Sequence, residues 1–181
     1  MYIEIFGDKN KDFRVDKIAM RHGYSIYEVF YSPIIIWIFM TIYFLVLSIS
    51  AFFQFLGEWY YIIPYLLFGY LISSYLNNSF VITEKELLII NPNFPFNSFE
   101  RYSIDSIEKV KIDSNKWLYL LFSFLIFDNN YVKITSKDKT RVYYCIGLQF
   151  DAFDENFTEK TLDDFSASLS KKDIVVECII D

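Results

Sequence analysis

The chain has 181 residues but only one histidine, two cysteines and five glycines. Little is therefore available for metal sites, redox pairs or phosphate loops. Cys145 and Cys178 lie far apart, in neither a C-x-x-C nor a His-rich setting, which argues against a zinc site or a thioredoxin-type pair. They read as two free thiols, each in a strand-like segment where a small apolar side chain packs well. His22 has no cysteine or second histidine near it and reads as a solvated side chain. No Gly-rich phosphate loop, G-x-S-x-G or H-E-x-x-H occurs. The acids Asp151, Asp154, Glu155, Glu159, Asp163 and Asp164 lack the spacing and central glycine of a calcium loop. They read as a helix N-terminus with an acidic surface. The expectation is a non-enzymatic protein with no catalytic residue, no cofactor and no metal ligand. A net charge of −6 argues against a nucleic-acid partner, because such domains carry basic surfaces. The first 28 residues are mixed polar, so no cleavable signal peptide is expected.

Charge is also missing from one long stretch. Between Val29 and Thr83 the only charged side chain is Glu58. The apolar runs on either side each approach the roughly 20 residues that a helix needs to cross a bilayer. The expectation is a transmembrane helical hairpin over 29–79, with spans at about 32–55 and 59–78. Ser25 with Glu28, or Ser32 with Pro33, would cap the first span. Aromatic side chains at Trp59, Tyr60 and Tyr61 would mark the outer interface, and Tyr27, Phe30 and Tyr31 the inner one. Gly69 and Ser73, four apart, would let the two helices pack closely. Five basic residues precede the hairpin (Lys9, Lys11, Arg14, Lys17, Arg21), and none lies in the turn. By the positive-inside rule both termini of this two-span protein face the cytoplasm, and an inner (cytoplasmic) membrane is the expected location.

Residues 1–28 form a cytoplasmic segment in this reading, with Phe13 to Met20 fitting a strand or one helical face equally well. After the hairpin the texture changes. Short β-branched and aromatic runs, Phe80 to Thr83, Glu86 to Asn91, Phe99 to Ile104, Ile107 to Ile112, Tyr131 to Thr135 and Val142 to Gly147, are separated by turn signals. Alternation in Val132-Lys-Ile-Thr and in Arg141-Val-Tyr-Tyr-Cys-Ile implies an antiparallel sheet with one wet face. Ser136-Lys-Asp-Lys-Thr reads as a hairpin turn. A helix is expected over about 158–171 from Leu162, Phe165 and Leu169, followed by a last strand at Ile174 to Ile180.

The order hairpin, Phe80-Val-Ile-Thr-Glu-Lys-Glu-Leu, then Ile104-Asp-Ser-Ile-Glu-Lys-Val, a lysine-bearing β-hairpin and an amphipathic helix resembles the bacterial membrane-anchored PH-like domain proteins. It matches their F-x-I-T-x-x-x-L opening and their I-x-x-I-x-x-V segment over roughly 29–171. The resemblance implies an α+β domain over 80–181, a PH-like antiparallel sheet or barrel capped by a C-terminal helix. It carries no ligand-binding residue over to this chain. The run Trp117 to Phe127 and the strand after the final helix depart from the family pattern.

Three sets of residues stand out as contacts. The run with Trp117, Leu118, Leu120, Leu121, Phe122, Phe124 and Leu125 is too short to span a bilayer; it reads as membrane contact, domain core or partner contact. Lys109, Lys111 and Lys116, and then Lys133, Lys137, Lys139 and Arg141, read as contacts to anionic lipid or as a solvated strand face. Gly69 and Ser73 are the helix-packing pair. The function expected is a scaffold or interaction module at the membrane surface, or else a membrane-resident immunity protein or accessory subunit. Its partners would be the lipid bilayer and another membrane protein or a second copy.

Overall fold

The computed structural model describes residues 13–30, 42, 45–50, 53, 62–114, 130–145 and 162–179. In chain order these give α1 (Phe13–Arg21), β1 (Glu28–Phe30), α2 (Ile62–Tyr75), β2 (Ser79–Ile82), β3 (Glu86–Asn91), β4 (Ser98–Ser103), a 3-10 turn (Ile104–Ser106), β5 (Ile107–Ser114), β6 (Asn130–Ser136), β7 (Thr140–Tyr144), α3 (Leu162–Ser170) and β8 (Val175–Ile179). Residues 45–50 are also helical.

The strands form two four-stranded sheets, ordered β1-β2-β3-β4 and β7-β6-β5-β8. Neither closes, so the expected PH-like barrel is replaced by two open sheets over a shared core. Phe30 stands opposite Phe80 in the β1–β2 ladder, and both are fully buried. With Ile82, Leu87 and Ile89 they meet Val110, Ile112, Val132 and Ile134 of the second sheet. Alternation sends Val81, Leu88 and Ile90 to the opposite face, where Val15 and Ala19 of α1 cover them. That covering explains why β2 is buried along its whole length and why the expected wet face is absent from β2 and β3. α3 closes the core from its end. The Phe165 ring lies 5.1 Å from Phe30 and 5.0 Å from Phe80, and Leu169 is fully buried beside it.

The membrane reading is corrected here. No helix among the described residues is long and apolar enough to cross a membrane. The second expected span contains α2, whose 14 described residues rise about 21 Å against a hydrocarbon core of about 30 Å. The helix stops because side chains take up its last carbonyls. Asn78 Nδ2 donates to Tyr75 O (3.2 Å) and to Tyr144 O (2.7 Å), and Asn91 Nδ2 donates to Ser74 O (2.8 Å). The chain then turns straight into β2. At the other end of the expected hairpin, Glu28, Val29 and Phe30 pair with β2 as strand, where a helix cap was expected. The first expected span, 32–55, lies largely outside the described residues. A two-span inner-membrane protein and the membrane-anchored PH-like resemblance are therefore not supported by this fold.

The other expected elements are largely present. The ambiguous N-terminal segment is helical, and the expected C-terminal helix is seen at Leu162–Ser170, the start of its expected range lying outside the described residues. Both tight hairpins close the same way: a hydroxyl accepts the N–H three residues on, Thr83 from Glu86 (2.9 Å) and Ser136 from Lys139 (3.3 Å). β8 departs from the antiparallel expectation and runs parallel to β5, with Lys109 opposite Val175 and Asp113 opposite Ile179.

Both cysteines are free; Cys145 is buried and Cys178 exposed. Burial pushes the Cys145 thiol far up, whereas thiol reagents attack only the thiolate. A colorimetric thiol titration is expected to find one reactive group in the folded chain and two in denaturant.

Candidate functional site

The two sheets present facing edge strands, β4 and β7. On β4, alternation puts Ser98, Glu100 and Tyr102 on one side. On the β6–β7 hairpin it does the same for Lys139, Arg141 and Tyr143. The sets meet at Glu100. Its Oε2 accepts from Lys139 Nζ at 3.0 Å and from the Tyr143 hydroxyl at 2.9 Å, and its Oε1 accepts from Arg141 Nη1. The Tyr102 and Tyr143 hydroxyls lie 2.5 Å apart, and Lys139 Nζ sits 4.5 Å from the Tyr102 ring centroid. A phenol has one proton to give. Because Tyr143 donates its proton to the carboxylate, Tyr102 must donate to Tyr143. The result is a directed chain, Tyr102 to Tyr143 to Glu100, of the kind that charge strengthens.

Beside this network opens a cleft of about 340 Å³. Arg141 and Glu100 line one part, and Tyr75, Phe96 and Tyr144 line another. The rings touch in sequence: Phe96 lies 5.3 Å from Tyr75, Tyr75 5.7 Å from Tyr144, and Tyr144 6.4 Å from Tyr131. The back of the cleft is fixed by amides. Asn78 and Asn91 hold the end of α2 through the bonds given above, and Asn91 Oδ1 also accepts the Asn93 N–H at 3.0 Å. An isolated bridge between Asn77 and Cys145 ties the two sheets together at this end.

The electrostatics lock the site. Burial alone would raise the Glu100 carboxyl, but the bonds from Lys139 and Tyr143 and the charges of Lys139 and Arg141 outweigh it, leaving the group below its ordinary range. The bond to Glu100 raises Lys139. Burial, then the bonds to Tyr102 and Glu100, push the Tyr143 phenol far up. Near neutral pH the carboxylate is ionised and the phenol protonated. A depressed carboxyl stabilises the fold fully above its unfolded value, near 4.5, and loses that contribution as pH falls through the folded value. Replacing Glu100 with Gln is therefore expected to make the acid limb of a stability-against-pH curve shallower below about pH 4.5. Thermal melts in a pH series check this.

The sequence-derived contacts fare unevenly. Lys139 and Arg141 come together on Glu100, which the sequence did not single out. Lys109 pairs with Glu177 at 2.5 Å and Lys111 with Asp113 at 2.8 Å, on the far side of the second sheet. Lys133 is exposed on that same face, directly opposite Lys111 in the β5–β6 ladder, and Lys137 is exposed in the β6–β7 turn. Gly69 and Ser73 are buried, and Ser73 Oγ donates to Gly69 O at 2.8 Å within α2. Lys116 and the run Trp117, Leu118, Leu120, Leu121, Phe122, Phe124 and Leu125 lie outside the described residues. His22 stacks on Phe99, ring centroids 3.9 Å apart. Among the described residues no group of acids, histidines and cysteines is placed to hold a metal ion.

No protein-family model matches this chain, and neither the curated proteins nor the solved structures contain a match. The sequence resemblance to membrane-anchored PH-like proteins thus has no support from comparison either.

Proposed function

We propose that this chain is a non-enzymatic interaction module that holds its partner in the cleft between β4 and β7. The supporting observation is the state of Glu100. Among the described residues, the one carboxylate lining the cleft already accepts from Lys139, Arg141 and Tyr143, so it has little basicity left for proton abstraction. No histidine or cysteine among the described residues lines the cleft. Its aromatic wall is partly exposed, as recognition surfaces are. Saturation-transfer NMR on the full chain with a mixed fragment set provides the test. Fragments that bind should be recovered chemically unchanged after prolonged incubation, and binding should weaken in Tyr75→Ala. Conversion of a fragment by wild type, lost in Glu100→Gln or Tyr143→Phe, would overturn the proposal.

A second reading, an accessory subunit of a larger protein assembly, rests on a different observation. Ile42, Leu45, Val46, Ile49 and Phe53 are exposed at helical spacing, as are Ile63 and Leu67 on α2, while Ser48 and Ser73 are buried. Monomers seldom present that much apolar surface. Gently purified native protein that runs as a pure monomer by light scattering, with nothing co-purifying, would count against this reading.

A further inference from the structure

We propose that the β4/β7 cleft is selective for a carboxylate attached to a single aromatic or bulky apolar group, the chemistry shared by a free aromatic acid and the C-terminal residue of a peptide. This rests on the reading of the cleft as a binding site and names what it binds.

The charge balance decides the sign of the ligand. Glu100 contributes one negative charge, Lys139 and Arg141 one positive charge each, so the described groups of the network sum to a positive value. A cationic ligand would find the carboxylate already taken by two cations. An anion finds Arg141. That side chain is 53% exposed and places only Nη1 on Glu100. A guanidinium has five N–H donors in a planar fork, so another edge is free to take a carboxylate through two parallel bonds. Lys139, buttressed by Glu100 and Tyr102, adds positive potential behind it.

The shape decides the rest of the ligand. The cavity volume lies at the small end of the roughly 300–1,000 Å³ typical of ligand sites, which limits the occupant to about one side chain and its backbone. Tyr75, Phe96 and Tyr144 present ring surface in tilted and edge-on arrangements that a further ring can extend. The amides of Asn78 and Asn91 spend their N–H donors on backbone carbonyls, so they stiffen the wall without competing for the anion.

The test is calorimetric titration of the full chain with N-acetylphenylalanine, its C-terminal amide and phenethylamine. The carboxylate is expected to bind at least tenfold more tightly than the amide, and the amine not to bind. Arg141→Gln should lose at least tenfold for the carboxylate and leave the weak amide affinity unchanged. Arg141→Lys should recover only part of the loss, because an ammonium cannot form the fork. Phe96→Ala, in an exposed loop, should weaken carboxylate and amide alike. It keeps the test alive if the arginine variants fail to fold by circular dichroism. Equal binding of amide and carboxylate, or wild-type affinity in a folded Arg141→Gln, overturns the inference while the interaction-module reading stands. If no probe binds, both fall. An acetylated pentapeptide ending in free phenylalanine separates the two sources. Affinity tenfold above N-acetylphenylalanine indicates a protein chain end, and equal affinity a free small acid.

Discussion

Phe165→Ala is expected to destabilise the chain by about 3–5 kcal/mol, the range for deleting a buried aromatic ring. For a domain of this size that corresponds to a melting temperature lower by roughly 10 °C. Phe165 is the only aromatic that α3 contributes to the core, and it is fully buried between Phe30 of β1 and Phe80 of β2. The space it leaves would lie over two neighbouring strands held in register, which cannot collapse into it without breaking the β1–β2 ladder. The upper part of the range is therefore expected. α3 also carries Ser168, whose hydroxyl donates to Glu28 Oε2 at 2.6 Å, so the helix is fixed to β1 by a second contact. Chemical denaturation monitored by near-ultraviolet circular dichroism measures the loss. A cost below about 1 kcal/mol would mean that α3 does not seal the core.

The second large effect concerns Glu100. Glu100→Ala is expected to cost about 2 kcal/mol, because it strands the inward-facing Tyr143 hydroxyl and removes the partner of two cations. The three interactions are unequal. Arg141 is mostly solvated, and an ion pair with an exposed partner is worth little. Tyr143 is only 8% exposed, so its lost bond leaves a nearly buried donor without an acceptor. A double-mutant cycle should therefore give a larger coupling for Glu100 with Tyr143 (using Tyr143→Phe) than for Glu100 with Arg141. Equal couplings would show that charge alone joins the two sheets and that the phenol chain is incidental.

Local patterns made much of this fold legible. The short apolar run at Glu86 to Asn91 and the alternating run at Tyr131 to Thr135 are strands, and Leu162, Phe165 and Leu169 do mark a helix. The long apolar stretch misled because several different structures share its composition. A strand buried on both faces, such as β2, and a short helix apolar on all sides, such as α2, both read as continuous apolar sequence, as a membrane span does. The deciding signal was polar: Asn78, with the distant Asn91, ends α2 through side-chain bonds to its carbonyls. Half of the candidate site was visible as the basic pair Lys139 and Arg141. Glu100 was not, because it lies 39 and 41 residues away and the pairing depends on how two sheets face each other. The matching alternations Ser98, Glu100, Tyr102 and Lys139, Arg141, Tyr143, with opposite charge, are the trace that such a pairing leaves in sequence.

The most direct measurement is amide and side-chain chemical-shift mapping of the full, isotopically labelled chain titrated with N-acetylphenylalanine. Perturbations should concentrate at Ser98 to Tyr102, at Arg141 to Tyr144 and at Tyr75 and Phe96. Perturbations clustered instead on the exposed edge strand β8, or spread evenly over both sheets, would contradict a binding site between β4 and β7.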